Sequence, residues 1–352
     1  MQDLALIYVL DPPALVGDSI ILLSTIRARM GDVPVIAYVP QEKRAELPPF
    51  ITAFHAAMGA EIRFMPTEGV FATPYRHGNK ILACCQPRDA RFTLFLDTDV
   101  AVTRAFSRAQ MVGEGEVGVV PEGVITWGAT LSDWQRVYDR FGMALPNERV
   151  TLTRSGRESL PYYNAGVVAF PTGSDFARLW LETALALDAD ESLPNRRPWL
   201  DQIALPVAIR RAGLRDRVLG REWNLSVSPR KGGHSEADVA QLDAADARIV
   251  HHHQPVFLCG TRYERIVDAA LARATIYPDL ATMIAPSRAR EAHRAEVWRR
   301  FRELKVKPDR TAAETQELKD LGAEKAALKA EMKAPDVARY WPASILRDAE
   351  RG

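Results

Sequence analysis

Two carboxylates stand one residue apart directly after an apolar run in the first third of the sequence. The run Phe92–Leu96 is typical of a buried strand, and Asp97-Thr98-Asp99 follows it at once. Carboxylates at a strand end project into the crevice above a sheet, where they bind a hard divalent cation and, through it, a diphosphate. The alternative is a simple turn or cap. The same spacing recurs at residues 188–190 after a helical run, so we expect no metal site there.

The run His251-His252-His253 holds three of the seven histidines in the chain. Neutral imidazole is a good ligand for manganese-like ions beside carboxylates. If strand alternation continues through the run, His251 and His253 point to one side and His252 to the other, so at most two of them face the crevice. The alternative is a polar strand end with histidines on the surface. The run therefore offers ligands for a metal site that Asp97 and Asp99 would begin.

Three further groups could bind a phosphorylated or sugar-like ligand. Asn164 and the two small residues after it open an apolar strand, where a ligand could approach the backbone closely; the alternative is a bulge or tight turn. Asp201-Gln202 lies at the start of a helical pattern, where a carboxylate otherwise serves as a cap or dipole partner. Lys80, upstream of the acidic pair, could reach a phosphate oxygen or remain a solvated surface group.

The elements that must position these residues alternate along the chain. Apolar runs alternate with segments of helical period, which predicts an α/β fold with a mostly parallel sheet covered by helices on both faces. In such sheets, ligands lie at the carboxyl ends of the strands. The predicted strands are Ala5–Leu10, Val33–Val39, Glu61–Met65, Phe92–Leu96, Val117–Val120, Tyr163–Phe170 and Arg248–His251. The predicted helices are Leu15–Arg29, Arg44–Met58, Asn79–Gln86, Leu131–Phe141, Phe176–Leu187 and Leu200–Arg211.

The composition changes near Ser287, where Glu, Lys, Arg and Ala begin to dominate. We therefore expect a ligand-binding domain over residues 1–285 and a helical C-terminal extension over residues 286–352. The extension is predicted to be an antiparallel helix pair broken near Pro308. It would pack on the core or on a second subunit of a homodimer. The basic stretch Arg288–Lys307 leaves a peripheral membrane contact as the alternative.

Bulk composition excludes several classes of protein. The 352 residues carry a formal net charge of +1, so nothing drives the whole chain toward nucleic acid. Three cysteines cannot pair completely, and no disulfide framework is expected. No apolar stretch approaches the roughly 18 residues of a spanning helix, and the N-terminus lacks the basic region and cleavage site of a signal peptide. We therefore expect a cytoplasmic protein, with the inner face of the membrane as the place of any peripheral contact.

Taken in order, these groups resemble the motifs of the GT-A glycosyltransferases, and most nearly those of glycosyltransferase family 8. That family has a lysine in a helix, a strand ending in D-x-D, an N-[SA]-G strand, a D-Q helix, an aromatic–Asn pair and a late histidine. The resemblance covers about residues 3–262 and implies a Rossmann-like GT-A domain. The matching positions in this sequence are Lys80, Asp97 and Asp99, Asn164-Ala165-Gly166, Asp201-Gln202, Trp223-Asn224 and His251.

The resemblance implies a metal-dependent glycosyltransferase that moves a sugar, with retention, from a nucleoside-diphosphate sugar (a UDP-sugar by family) to a glycan, lipid or protein acceptor. It implies Mn²⁺ or Mg²⁺ as the metal, held by Asp99 and His251, with Asp97 bridging metal and donor and His253 as the alternative imidazole. The implied donor-binding residues are Asp11, Lys80, Asp97, Thr98, Asp99 and Gln202. The implied catalytic residues, beside the transferred sugar, are Asn164 and Asp201.

Two other functions remain open from the sequence. The family continues after its histidine with a glycine and a Lys-Pro-Trp that clamps the diphosphate, whereas Gln254–Phe257 follows here and the nearby bases are Arg262 and Arg265. The chain could therefore be a non-catalytic nucleotide-sugar or glycan-binding module. A nucleotidyltransferase is the other alternative, although residues 11–14 show nothing of the Gly-rich basic loop that usually opens such enzymes.

Overall fold

Twelve β-strands and eleven α-helices form in the part of the chain that the structure, a computed structural model, describes: residues 2–197, 199–229, 235–333 and 341–347. The strands are β1 (Gln2–Val9), β2 (Val35–Pro40), β3 (Glu61–Met65), β4 (Ala90–Leu96), β5 (Val100–Val102), β6 (Glu116–Pro121), β7 (Val150–Thr151), β8 (Glu158–Ser159), β9 (Tyr163–Pro171), β10 (Arg215–Val218), β11 (Leu225–Ser226) and β12 (Ile249–His251). The helices are α1 (Val16–Met30), α2 (Pro49–Ala57), α3 (Asn79–Cys85), α4 (Arg108–Met111), α5 (Leu131–Asp139), α6 (Phe176–Asp188), α7 (Leu200–Arg211), α8 (Glu236–Ala244), α9 (Arg262–Ala274), α10 (Leu280–Val306) and α11 (Ala312–Lys333).

Seven strands form the central sheet, in the order β10-β6-β9-β4-β1-β2-β3. Neighbouring strands are parallel except where β9 pairs with β4 and β6, and both of those pairs are antiparallel. The reversed direction brings the start of β9 to the edge where β4 ends. There the backbone N–H of Asp97 donates to the carbonyl oxygen of Gly166 at 2.7 Å. This edge collects the strand ends at which the sequence places its polar residues.

Helices cover both faces of the central sheet. One face packs against α1, α2 and α9, and the other against α3, α5, α6 and α7, so the central strands are buried on both sides. The helix predicted over Arg44–Met58 is instead a 3₁₀ turn (Gln41–Glu46) followed by α2, because Pro48 and Pro49 interrupt it and Pro49 opens α2. The predicted architecture, a mostly parallel mixed sheet between helices with further helices at the C-terminus, is confirmed.

A small second sheet joins distant parts of the chain. Its order is β11-β12-β5, with β12 antiparallel to β5 and parallel to β11. In this register His251 lies opposite Val100, the residue that follows Asp99. The carbonyl oxygen of Asp99 also accepts from the backbone N–H of His252 at 3.0 Å. The second sheet therefore brings the histidine run to the end of β4.

Helices α10 and α11 form a hairpin at the C-terminal end. Arg300 pairs with Glu317 and His293 with Glu324, which gives the antiparallel register that the sequence predicts. Helix α10 begins at Leu280, so the predicted domain boundary at residue 285 falls inside it. No helix in the described ranges is long and apolar enough to cross a membrane.

The end of the chain returns to the main domain. Residues 334–340 and 348–352 of the predicted extension lie outside the described residues. Between them, the Trp341 ring stacks on Phe50 of α2 with ring centroids 5.5 Å apart. The backbone N–H of Ile276 donates to the carbonyl oxygen of Ile345 at 2.9 Å, and Ile345 is fully buried. The last described residues are therefore part of the packed structure of the main domain.

Candidate active site

Asp99, His251 and His253 converge where the two sheets meet, with one ligand atom from each residue within 4.8 Å of the others. The Nε2 atom of His251 is 3.1 Å from Asp99 Oδ1, and the Nδ1 atom of His253 is 3.8 Å from Asp99 Oδ2. The two imidazole rings face each other with centroids 3.9 Å apart. His252 is fully buried and faces Asp18 of α1 instead. Both outer histidines of the run therefore meet the acidic motif.

His253 reaches this position through a turn. Strand β12 ends at His251, and His253 has a φ of 57°, in the left-handed region, so continued strand alternation is not what orients it. Its Nε2 atom lies 3.2 Å from the hydroxyl of Ser226 in β11, which leaves Nδ1 facing Asp99. The sequence predicts the correct side for His253, but for a reason that does not hold in the structure.

A chain of side-chain hydrogen bonds orients His251. The carboxylate of Glu122 can only accept, and it accepts from Asn164 Nδ2 at 2.9 Å. Asn164 Oδ1 accepts from Asn224 Nδ2 at 2.8 Å, and Asn224 Oδ1 accepts from His251 Nδ1 at 3.1 Å. These bonds place a proton on Nδ1, so the lone pair of the neutral ring is on Nε2 and faces Asp99. A metal-binding histidine is usually oriented by such a partner.

A second polar group forms around Lys80. Its ammonium lies 2.8 Å from Asp97 Oδ1 and donates to Asp97 Oδ2 at 3.0 Å; it is also 3.2 Å from Asp201 Oδ2. The Tyr75 hydroxyl donates to Asp201 Oδ1 at 2.7 Å, and Asp201, in the first turn of α7, is almost fully buried. Lys80 therefore binds both carboxylates. Of the predicted metal ligands, Asp97 is the one that faces Lys80 and lies outside the group of Asp99 and the two histidines.

The charges in these two groups act on each other. Burial raises the pKa of Asp97, and the ammonium of Lys80 offsets part of this effect. Burial also opposes the charge of Asp99, but the charge and hydrogen bond of His251 outweigh it and hold the pKa of Asp99 below its ordinary value. Although burial lowers it, the pKa of His251 is raised by Asp99. A cation that binds Asp99 and the Nε2 atom of His251 therefore competes with a proton for the same ligands.

A cavity of 520 Å³ opens beside both groups. Gln202 is 8% exposed, and its Oε1 atom has no hydrogen-bond partner among the described residues. This buried oxygen can therefore accept a hydrogen bond from a donor group on a ligand. Thr98 is buried, and its hydroxyl donates to the carbonyl oxygen of Val9, so it also ties β1 to the acidic motif. The cavity lining includes all of the predicted site residues: Asp11, Lys80, Asp97, Thr98, Asp99, Asn164, Asp201, Gln202, His251 and His253.

Gly166 lets the two groups pack this closely. A Cβ atom at this position would lie 2.8 Å from Asp97 Oδ2, 2.8 Å from Asn164 Oδ1 and 3.1 Å from His251 Cε1. These separations are shorter than ordinary carbon contacts, so any side chain here would displace polar atoms of the site. The backbone N–H of Gly166 donates to Asn164 Oδ1 at 2.9 Å. The sequence predicts that a ligand could approach the backbone closely at this position. In the structure, the side chains of Asp97, Asn164 and His251 make this close approach.

The sequence matches the family model described as the Rhodobacterales glycosyltransferase domain over residues 6–213. The chain belongs to this family. It is a glycosyltransferase, as the order of its motifs predicts. The matched region contains Asp97, Asp99, Asn164 and Asp201, whereas the histidine run follows it in the sequence.

Solved glycosyltransferase structures are similar to this glycosyltransferase at low sequence identity. The galactosyltransferase LgtC in complex with donor and acceptor sugar analogs is 16% identical, with a TM-score of 0.47 over 76% of this chain and 95% of that chain. Mouse xyloside xylosyltransferase 1 in its apo form is 14% identical, with a TM-score of 0.46 over 72% of this chain and 98% of that chain. No curated protein matches the sequence significantly. The assignment to the family comes from the family model.

Three residues of the glycosyltransferase site were not assigned a role from the sequence. Asn224 belongs to the aromatic–Asn pair that carries the resemblance, so a signal for it existed. Glu122 directly follows β6, at the same edge of the sheet as Asp97, and its position after a strand could have suggested it. Tyr75 lies in a loop before α3, and no pattern in the sequence connects it to Asp201.

Two groups that the sequence singles out lie outside the site. Asp188 of the second D-x-D ends α6 and forms an ion pair with Arg197 at 2.5 Å. Arg262 opens α9, where its guanidinium and its backbone N–H both donate to Asp243. Neither Arg262 nor Arg265 lines the cavity beside the acidic motif. The first bases that follow the histidine run in the sequence are therefore not the ones that reach the site.

Proposed function

We propose that this glycosyltransferase uses a divalent cation, bound by Asp99, His251 and His253, to transfer a sugar from a nucleoside-diphosphate sugar. The observation that carries the proposal is the convergence of one carboxylate and two imidazoles beside a large cavity. Carboxylate with imidazole suits Mn²⁺ better than Mg²⁺, which prefers oxygen ligands in an octahedron. Uridine as the base follows from the family resemblance alone.

The protein groups have distinct tasks in this reaction. A bound cation supplies positive charge against the negative charge that develops on the departing diphosphate. Lys80 pairs with Asp97 and Asp201 and holds the two carboxylates close together beside the cavity. Asn164 lies between the two groups; one N–H of its Nδ2 donates to Glu122, and the second can donate to a sugar hydroxyl.

We propose transfer with retention of the anomeric configuration. In retaining glycosidases, a carboxylate near the anomeric carbon acts as nucleophile. Asp201 would have this role here and attack the face of the sugar opposite the leaving group. A same-face attack without a covalent intermediate needs no such role for Asp201. NMR of the product linkage distinguishes retention from inversion, and trapping of a sugar on Asp201 distinguishes the two retaining routes.

The deciding experiment is a screen of nucleotide sugars with the full chain, in MnCl₂ and in EDTA. The assays are thermal stability, which a bound ligand raises, and release of free sugar and nucleoside diphosphate. We expect one donor to stabilise the protein and to be turned over only with metal. The variant Asp99→Asn should lose turnover by about 100-fold or more while its unfolding temperature in EDTA stays close to that of the wild type.

Other outcomes of the screen would contradict the proposal. Donor binding without release of sugar would instead indicate a nucleotide-sugar-binding module. Formation of pyrophosphate would indicate a nucleotidyltransferase. Wild-type turnover by Asp99→Asn, or equal turnover in EDTA, would exclude the proposed metal site.

A further inference from the structure

A second cavity of 240 Å³ lies on the other side of the histidines. It shares Glu122, Asn164, His251 and His253 with the larger cavity, so the polar residues of the site form the wall between them. Its remaining lining includes two basic side chains, Arg154 and Arg221, and the acidic side chain of Asp238. A charged group in this cavity therefore acts directly on the histidine side of the site.

The β7–β8 hairpin holds Arg154 in place. In its turn, the backbone N–H groups of Thr153, Arg154 and Ser155 donate to the carbonyl oxygens of Glu122 and Gly123 at 2.9 to 3.1 Å. The hairpin is therefore fixed to the end of β6, next to Glu122. The Arg154 guanidinium donates to the carbonyl oxygen of Ser228 at 3.1 Å, which uses one of its five N–H donors.

The charge of Arg154 is available to a ligand. Among the described residues, no carboxylate forms an ion pair with Arg154, whereas Lys80 forms ion pairs with two carboxylates.

The other arginine of the large cavity, Arg76, lies beside Asp11. Burial raises the pKa of Asp11, and the charge of Arg76 offsets part of this effect. Burial lowers the pKa of His253 to about 4, and the charges of His251 and then Arg154 contribute to this shift.

We propose that Arg154 binds the leaving nucleoside diphosphate of this glycosyltransferase and stabilises its developing charge, a role that rests on the proposed function. During transfer the bond between the anomeric carbon and the β-phosphate oxygen breaks, and its electron pair stays on that oxygen. The acceptor oxygen bonds to the anomeric carbon, and its proton passes to the departing phosphate. The product then ionises near neutral pH, so it carries one more negative charge than the donor.

Arg154 would supply the positive charge for the diphosphate that the segment after the histidine run does not provide. The residues after the histidine run contain no Lys-Pro-Trp, and Arg262 is bound to Asp243. Arg154 is 97 residues before His251 in the chain, and the fold brings it to the same wall of the site. Its planar guanidinium also offers paired donors, which match phosphate oxygens better than an ammonium does.

The test measures binding of product and turnover in the full-length variants Arg154→Gln, Arg154→Lys and Arg221→Gln. Arg157→Gln is the matched control, because Arg157 is on the same hairpin, is exposed and does not line the cavity. Calorimetry with MnCl₂ uses UDP, GDP, ADP and dTDP, and the monophosphate of whichever diphosphate binds. We expect Arg154→Gln to weaken diphosphate binding about tenfold, the effect of losing a hydrogen bond to a charged group. Binding of the monophosphate should change much less.

Turnover gives a second measurement of the same role. Arg154→Gln should lower kcat with the donor found in the screen, and Arg154→Lys should restore part of it because the charge is kept. Equal diphosphate affinity in Arg154→Gln and the wild type, or an equal loss in Arg157→Gln, would overturn the role of Arg154. A loss in Arg221→Gln alone would assign the role to that residue. A wild type that binds none of the four diphosphates would instead refute the proposed function.

Discussion

Asn224 offers the sharpest test of how the candidate metal site is oriented. Its Oδ1 accepts from His251 Nδ1 at 3.1 Å and its Nδ2 donates to Asn164 Oδ1 at 2.8 Å. The variant Asn224→Leu keeps a similar volume and removes both bonds. Asn164 retains its bonds to Glu122 and to the backbone N–H of Gly166, so the change acts mainly on His251.

The expected effect follows from the tautomer of His251. Without an acceptor at Nδ1, the proton of the neutral ring can move to Nε2, which then cannot bind a cation. Loss of such an orienting partner typically lowers metal affinity by about 10- to 100-fold, or about 1.4 to 2.8 kcal/mol. Because Asn224 is 7% exposed, solvent cannot easily replace the lost acceptor.

The measurement is calorimetric titration of Mn²⁺ into the full chain, with thermal unfolding in EDTA as the check on folding. Asn224→Asp is the companion variant, since it keeps an acceptor for His251 and loses only the donor to Asn164. We expect Asn224→Asp to bind Mn²⁺ at least as tightly as the wild type, and Asn224→Leu to bind more weakly. A folded Asn224→Leu protein with wild-type Mn²⁺ affinity would refute the argument from orientation.

The remaining predictions concern a close contact and a buried pair. Gly166→Ala would place a methyl group 2.8 Å from Asp97 Oδ2. We therefore expect turnover to fall at least about tenfold and the free energy of unfolding to fall by about 1 to 3 kcal/mol. Wild-type turnover in this variant would show that the site can move to accommodate the methyl group. Burial lowers the pKa of His55 to about 4, and the His55 ring forms a hydrogen bond with the Tyr8 hydroxyl. The unfolded chain therefore binds a proton at His55 at higher pH than the folded chain does. The free energy of unfolding should therefore decrease as pH falls from about 6.5 to about 4, by about 3 kcal/mol from this residue. Urea titrations across this range should show a shallower pH slope in His55→Gln, and identical slopes would contradict the assignment.

Local patterns predicted the elements of the main domain well because their hydrophobic periods are clear. Strand β3 and helix α7 have the predicted bounds, and β4 begins two residues before the predicted strand. Helix α9 was not predicted, although it packs against α1 and covers one face of the sheet. Its buried residues Tyr263, Val267, Ala270 and Leu271 follow a helical spacing, so the sequence carried a signal for this helix that the prediction missed.

The histidine run shows where pattern reasoning stops. Strand alternation predicts that His251 and His253 share a side, but β12 ends at His251 and a left-handed residue turns the chain. Whether both rings or one would meet the acidic motif depends on this turn. The D-x-D itself was predicted as one unit, yet Asp97 binds Lys80 while Asp99 faces the histidines.

The sequence by itself determined the order of the elements and the residue types at their ends, because hydrophobic period and side-chain chemistry are properties of short segments. Its motifs, which keep their order along the chain, also predicted a glycosyltransferase, and the family model confirms that activity class. Only the tertiary structure decided which polar groups share a cation, a proton or a cavity wall. These relations depend on contacts between residues up to about 150 positions apart, such as Asp99 with His251 and Tyr75 with Asp201, and no local pattern encodes them.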